Sequence, residues 1–204
     1  MDNLKRPYSE RKTEIGGRIS EFEAVGKGPD DRIFLELTFC LCTPQSKAKA
    51  CWEAVSKLAG KGILRRGSRA EIRKGLIGVR FANNKSGYIV EARGNFQEII
   101  KFRELNNPLE MREFLVENVK GLGWKEVSHF LRNVGYGKDI AILDRHILRN
   151  LLRFKVILEI PRSISKRRYI EIEDKMKKFS QNIGIPLQEL DLLFWSLETE
   201  EVFK

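Results

Sequence analysis

The stretch "VKGLGWKEVSHFLRNVG", residues 119–135, contains two glycines, Gly121 and Gly123, between one helical run and a second amphipathic run. Glycine adopts positive φ without steric cost, so "GLG" can be a simple turn that ends a helix. The same turn also lets backbone N–H groups at the start of the next helix approach a phosphate. The stretch predicts a helical hairpin and leaves open whether the hairpin binds a polyanion.

The rest of the chain also has helical periodicity, with Ser, Asn or Asp at many of the expected helix starts. Helices are predicted over 30–43, 46–60, 68–77, 83–92, 95–102, 107–120, 144–154, 163–184 and 186–203. The run at 30–43 is largely apolar, which predicts a buried helix. We therefore expect an all-α fold of two helical lobes joined by the hairpin. Residues 34–132 form a helical barrel lobe that ends in the hairpin, and 1–33 plus 133–204 form the other.

The charge balance points to a polyanionic partner. The 204 residues include 38 Lys+Arg and 28 Asp+Glu, which gives a net charge of +10. Nucleic acid is the leading partner and a membrane surface the second. The sequence has no apolar run near the roughly 20 residues of a bilayer span, and the start "MDNLKRPYSER" lacks the apolar region of a signal peptide. We expect a cytoplasmic monomer with no membrane segment.

The cysteines and histidines do not predict a cofactor. Cys40, Cys42 and Cys51 are too few for a four-thiolate iron–sulfur cluster, and free cysteine is commonly a small core residue. His129 and His146 have no neighbours in sequence that would complete a metal site. We therefore expect no metal and no cofactor.

Lys125 and Asp144 are the residues most suited to chemistry. Lys125 follows Gly123 at the expected start of a helix, where the macrodipole disfavours an ammonium. Asp144 stands 19 positions further on (144 − 125 = 19) in "AILDRHIL", between an apolar run and a helical one. Asp is a good N-cap, and a carboxylate held by helix N–H groups also stays ionised near neutrality. Asp144 can therefore be a cap, a catalytic carboxylate or both.

The segment "GLGWKEVSHFLRNVGYGKDIAILDRHIL", with the pair Lys125 and Asp144, resembles the helix-hairpin-helix DNA glycosylase superfamily. It is most similar to the second, archaeal-type class of 8-oxoguanine DNA glycosylase/AP lyases. The resemblance extends to "FLELTFCLCTPQSKAKACWEAV" (34–55), "VRFANNKSGYIVEAR" (79–93) and "LDLLFWSLETEEVFK" (190–204). One departure is Lys120, which stands where the superfamily hairpin usually carries proline.

The resemblance implies a bifunctional enzyme of DNA base excision repair. Lys125 is then the nucleophile that attacks C1′ of the deoxyribose of 8-oxoguanine in duplex DNA. The attack forms a Schiff base, from which β-elimination nicks the strand. The positive helix end and desolvation would favour the neutral amine that such an attack needs. Asp144 stabilises developing positive charge and transfers protons, and the place of action is the nucleoid.

Base recognition is implied for three further residues. Phe81 and Trp195 match positions that sandwich the flipped base, since flat rings suit a purine face. 8-Oxoguanine carries a hydrogen on N7 where guanine has an acceptor. The resemblance implies that Lys204, the last residue, offers its main-chain carboxylate to that hydrogen.

The remaining implied contacts are with the DNA backbone and with the gap left by the flipped nucleotide. Gly121 and Gly123 would bring backbone N–H groups to a phosphate. Asn83 and Asn84 are either simple helix caps or, functionally, a pair of which one hydrogen-bonds the orphaned partner base.

Two alternatives of other classes stay open. A non-catalytic helix-hairpin-helix DNA-binding module would keep the glycines and the charge but would not need Lys125 or Asp144. A glycosylase for oxidised pyrimidines would keep both residues and have a different base pocket.

Overall fold

The computed structural model describes residues 2–203, with side chains from Leu4 onward, and every regular element in this part of the chain is helical. The all-α prediction is confirmed. The helices are α1 Asp2–Gly26, α2 Asp30–Cys42, α3 Ala48–Gly60, α4 Ile63–Arg66, α5 Arg69–Gly75, α6 Ala82–Gly94, α7 Phe96–Ile99, α8 Pro108–Asn118, α9 Trp124–Asn133, α10 Arg145–Arg153, α11 Lys166–Ile183 and α12 Leu187–Thr199. A 3-10 helix, Ile100–Glu104, continues α7. Lys204 lies outside the described residues.

The chain divides into two compact units. The central unit is residues 28–130, and the split unit combines the described residues up to 27 with those from 131 onward. The functional lobes expected from the sequence, 34–132 and 1–33 plus 133–204, stay a prediction.

The central unit is built around α2. This helix has nine buried residues out of thirteen and packs against α3 and α6. The apolar pattern at 30–43 therefore predicted a buried helix correctly, and α2 ends at Cys42, just before the turn that contains Pro44. Its burial places the carboxyl end of α2 inside the unit, where the last carbonyl groups need protein partners.

Several predicted caps are present. Ser68 forms a reciprocal capping box with Glu71, while Asn107 and Asp144 each accept a hydrogen bond from a backbone N–H in the first turn of the helix that follows. Ser165, two residues after the predicted start at 163, caps α11 in the same way. These bonds satisfy amide groups that otherwise have no partner within the helix.

Two of the predicted capping residues, Ser46 and Asn83, do not cap their helices. Helix α3 begins at Ala48 after Lys47, so Ser46 does not cap it; the Ser46 hydroxyl instead accepts a hydrogen bond from the Arg80 amide at 3.0 Å. Helix α6 begins at Ala82, so Asn83 does not cap it either. Phe81 precedes α6 in a left-handed conformation, and its carbonyl accepts the first helical bond.

The split unit has α12 at its centre, packed against α1, α10 and α11. Phe154, Phe179 and Phe194 stack with ring centroids 5.6 to 6.4 Å apart; Phe194 is buried and the other two are half-buried. Arg132 and Asp191 form an ion pair at 3.1 Å, and each side chain is only 6% exposed. Among residues 2–203, no helix is both long and apolar enough to cross a bilayer.

Candidate active site

The hairpin predicted at 119–135 forms a tight turn between α8 and α9. Gly121 has φ +92°, and a Cβ added there would lie 2.4 Å from the Tyr88 ring. Two residues later the Gly123 carbonyl accepts a bond from the Val127 amide at 2.9 Å, which begins α9. Both glycines are exposed. The turn therefore occupies only residues 119–123, and both of its glycines are accessible from outside.

A buried arginine braces the start of α9. Arg112, on α8, is fully buried; its guanidinium lies over the Trp124 ring, 4.6 Å from the ring centroid, and donates to the Ser128 hydroxyl at 3.1 Å. Ser128 in turn donates to the Trp124 carbonyl at 2.8 Å. The first turn of α9 is thus fixed from two sides. The sequence contained no signal for this role, because a lone arginine in a helix is usually on its surface.

Lys125 is the second residue of α9, as the hairpin pattern predicted. Its side chain is 26% exposed, and its Nζ lies 3.7 Å from Glu126 Oε1. The amine is therefore partly desolvated and still reachable from outside. Glu126 offers it a counter-charge, which the sequence reasoning did not consider.

Asp144 follows a buried segment without regular secondary structure, residues 140–143. Helix α11 holds this segment by hydrogen bonds: Glu173 Oε1 accepts from the Ala141 amide at 2.7 Å, and the Tyr169 hydroxyl accepts from the Leu143 amide at 3.1 Å. The apolar "AIL" before Asp144 is therefore a buried segment that α11 holds in place. It fixes the position of the carboxylate.

The Asp144 carboxylate is an N-cap of α10. Oδ1 accepts from the Ile147 amide at 2.8 Å, and the side chain is half-buried. The capping interpretation is therefore correct, and it does not exclude a catalytic one, because this bond uses only one of the two carboxylate oxygens. Lys125 belongs to the central unit and Asp144 to the split unit.

Phe81 is exposed on the surface of the central unit, as expected of a residue that contacts a ligand. Phe81 belongs to the central unit and is 53% exposed. Its backbone has φ +59°, and the Arg80 guanidinium lies 5.4 Å from the centroid of its ring. A large aromatic ring that stays exposed on a strained backbone is not explained by core packing. Asn83 and Asn84 are exposed in the first turn of α6.

Trp195 lies in the split unit on α12 and is half-buried. Its ring lies next to that of Phe203, with ring centroids 6.0 Å apart and the planes tilted by 32°. Trp195 is therefore not a fully enclosed core residue. The prediction for Lys204 falls outside the described residues.

The cysteines and histidines occupy protein-packing positions. Cys40, Cys42 and Cys51 are free and buried, and burial raises the pKa of Cys42 to about 12. His129 packs edge-on against Phe39 at 5.4 Å, and His146 Nδ1 lies 3.7 Å from Glu198 Oε2. Within residues 2–203, no group of three or more His, Cys, Asp or Glu side chains is arranged to hold a metal ion.

The fold is that of the helix-hairpin-helix DNA glycosylases. The crystal structure of the Helicobacter pylori 3-methyladenine DNA glycosylase has the same fold, with a TM-score of 0.59 at 15% identity over 91% of this chain and 99% of that one. At that identity the likeness concerns the fold alone.

More similar proteins identify the family. The sequence profile of the 8-oxoguanine DNA glycosylase family matches residues 15–185, and the chain belongs to this family. A Fusobacterium nucleatum protein named 8-oxoguanine DNA glycosylase/AP lyase is 43% identical over 100% of this chain and 97% of its own. The crystal structure of the Thermotoga maritima 8-oxoguanine DNA glycosylase has a TM-score of 0.91 at 36% identity, over 100% of this chain and 97% of that one.

A third relative was solved with nucleic acid. The Methanocaldococcus jannaschii 8-oxoguanine glycosylase/lyase, in complex with a 15mer DNA containing 8-oxoguanine, has a TM-score of 0.89 at 38% identity, and the match covers 100% of both chains.

The two hairpin glycines differ in how much they tolerate a side chain. Gly121→Ala places a methyl group 2.4 Å from the Tyr88 ring at φ +92°, whereas Gly123→Ala brings it 3.3 Å from the movable Glu126 carboxylate. We expect Gly121→Ala to lower the free energy of unfolding by about 1–3 kcal/mol and to weaken duplex DNA binding. Gly123→Ala should have a smaller effect on stability. Urea denaturation and fluorescence anisotropy measure both; equal stability of the two variants would contradict the turn geometry.

Proposed function

We propose that this protein excises 8-oxoguanine from duplex DNA and then nicks the strand at the resulting abasic site. Membership of the family supports the activity, since relatives of 36–43% identity that align over the whole chain are named 8-oxoguanine DNA glycosylase/AP lyase. The net charge of +10 suits a duplex partner, because phosphate neutralisation supplies much of DNA affinity.

The observation that carries the mechanism is the amine of Lys125. It stands in the first turn of a helix that a glycine turn and the Arg112 brace hold in place, and it is partly desolvated yet reachable. A nucleophilic lysine needs these features, because the neutral amine must reach a carbon atom. A lysine that only binds phosphate has no use for desolvation.

The proposed reaction begins when the damaged nucleotide leaves the stack, which costs a few kcal/mol. The neutral Lys125 amine attacks C1′, the bond from C1′ to the base breaks, and the base leaves with the electron pair and takes up a proton. The nitrogen of Lys125, now bonded to C1′, loses one proton; the C1′–O4′ bond then breaks, O4′ takes up a proton, and the nitrogen keeps one hydrogen in the protonated imine. Removal of a C2′ proton then expels the 3′ phosphate and nicks the strand.

Asp144 is proposed to stabilise the positive charge that develops on the sugar and to take part in proton transfer. Its capping bond with the Ile147 amide supports this role, because the bond holds the carboxylate in one orientation and uses only one of its two oxygens. Because α11 holds residues 140–143, the carboxylate would have a fixed position. A preorganised charge stabilises a transition state more than a mobile charge does.

Phe81 and Trp195 are proposed to contact the two faces of the extruded base. Phe81 is supported by its exposure on a strained backbone and Trp195 by its incomplete burial. Asn83 or Asn84 is proposed to fill the gap in the duplex, because both side chains are exposed next to Phe81 and neither caps α6. Gly121 and Gly123 are proposed to admit a phosphate to the first amides of α9.

We also propose that the protein acts as a monomer at the nucleoid. Only six large apolar side chains are exposed among the described residues, whereas an obligate dimer presents a broad apolar face. Size-exclusion chromatography with light scattering tests the monomer.

Lys125→Gln tests the nucleophile. An amide of similar length cannot form an imine, so we expect borohydride trapping on an 8-oxoguanine duplex and base release to fall by at least about a thousandfold, with DNA binding largely kept. Lys120→Gln is the matched control, because it removes one charge from the same hairpin at a side chain that is 65% exposed. Loss of binding in step with activity in Lys125→Gln alone would mean that Lys125 merely holds phosphate.

Substrate choice separates the alternatives in the same assay. Trapping of the unchanged protein only on a duplex with an oxidised pyrimidine would favour a glycosylase for that lesion, and no trapping on either duplex would favour the binding module.

Asp144→Asn tests the carboxylate. Asparagine caps helices about as well as aspartate, so the melting temperature should change little. The amide lacks the negative charge, so we expect single-turnover excision to fall by about a hundredfold or more. Asp139→Asn, at an exposed aspartate five positions earlier, is the control for net charge and should leave excision unchanged. A lower melting temperature with unchanged excision would leave Asp144 as a cap alone.

A further inference from the structure

A second lysine of the central unit is buried, and each of its hydrogen-bond donors has an acceptor. Lys85, on α6, is 4% exposed, and its Nζ donates to the carbonyls of Cys42 and Pro44, both at 2.7 Å, and to the Ser46 hydroxyl at 3.1 Å. An ammonium has three N–H donors, so all of them are used. The amine therefore cannot act as a nucleophile without breaking this set of bonds.

These acceptors suit a cation. Cys42 is the last residue of α2, and the last carbonyls of a helix carry its negative partial charge. Burial lowers the pKa of Lys85, while the Cys42 and Cys51 thiols and Glu126 act in the opposite direction. The ammonium satisfies the buried carboxyl end of α2 and joins it to α6.

Ser46 extends this network to the segment that carries Phe81. Its hydroxyl oxygen accepts from Lys85 Nζ at 3.1 Å and from the Arg80 amide at 3.0 Å. Arg80 directly precedes Phe81, whose φ of +59° a non-glycine residue keeps only when its surroundings hold it there. The network thus anchors the backbone at the Arg80 amide, one residue before the strained position, while the first helical bond, from the Lys85 amide to the Phe81 carbonyl at 3.1 Å, anchors it on the other side.

We infer that Lys85 is a positioning residue for base recognition, which acts through Ser46 and the Arg80 amide to hold Phe81 in the conformation that presents its ring. This inference rests on the proposed role of Phe81 at the extruded base. Its consequence is a division between two amines: Lys125 forms the imine, and Lys85 controls how well the damaged base is held. Weakening the Lys85 network should therefore impair excision of 8-oxoguanine more than cleavage at a site that has already lost its base.

The test removes the Ser46 hydroxyl, which connects Lys85 to the segment that carries Phe81. Ser46→Ala deletes the hydroxyl and leaves Lys85 its two carbonyl acceptors, so folding should be kept. Single-turnover excision of 8-oxoguanine with excess enzyme should fall by about tenfold, the loss expected for one hydrogen bond. Strand cleavage at a pre-formed abasic site should stay within about twofold, which is close to the additivity error of such comparisons.

A double-variant cycle separates positioning from general stability. If Ser46 acts through Phe81, Ser46→Ala should have almost no further effect on excision when it is combined with Phe81→Ala. Ser56→Ala, at a half-buried serine of α3, is the control and should leave both reactions unchanged. Lys85→Met is the stronger variant; if it folds, it should repeat the selective loss of excision and still be trapped by borohydride at an abasic site.

Three results would overturn the inference: equal losses on the two substrates, the same tenfold loss in the Phe81→Ala background, or no loss in Ser46→Ala. A failure of the proposed function looks different, because the unchanged protein would then not excise 8-oxoguanine at all.

Discussion

The left-handed backbone of Gly121 is the constraint on which the central unit's candidate chemistry depends. A helix that ends and another that begins within a few residues need one position that only glycine fills easily, and here the Tyr88 ring occupies the space of a side chain. The turn fixes where α9 begins. That in turn makes Lys125 the second residue of the helix and places Trp124 beneath the Arg112 guanidinium.

The sequence predicted the helical class, most helix positions and the hairpin because these follow from local patterns: apolar periodicity, caps and glycines. It was wrong about Ser46 as a cap because Ser46 binds the distant Arg80 amide, and about Asn83 because the left-handed Phe81 already begins α6; local pattern encodes neither. It could not find the Arg112 brace or the Lys85 network for the same reason. Both are buried cations whose partners lie 12 or more positions away in the sequence, so no spacing rule points to them.

The two lysines of the central unit show why residue type alone does not assign a role. Lys85 is enclosed and gives all three of its donors to oxygen atoms, which suits an ammonium. Lys125 is partly exposed and has a carboxylate at 3.7 Å as its charged neighbour. The first arrangement stabilises a fixed charge, and the second leaves an amine free to move toward a carbon atom. The different roles proposed for the two lysines depend on this difference in surroundings.

The most direct measurement is the identity of the lysine in the trapped covalent complex. The unchanged protein is reduced with borohydride on a duplex that contains one 8-oxoguanine, digested with protease, and the cross-linked peptide is sequenced by mass spectrometry. The account predicts that the adduct lies on Lys125. An adduct on Lys85, or on any other lysine, would contradict it.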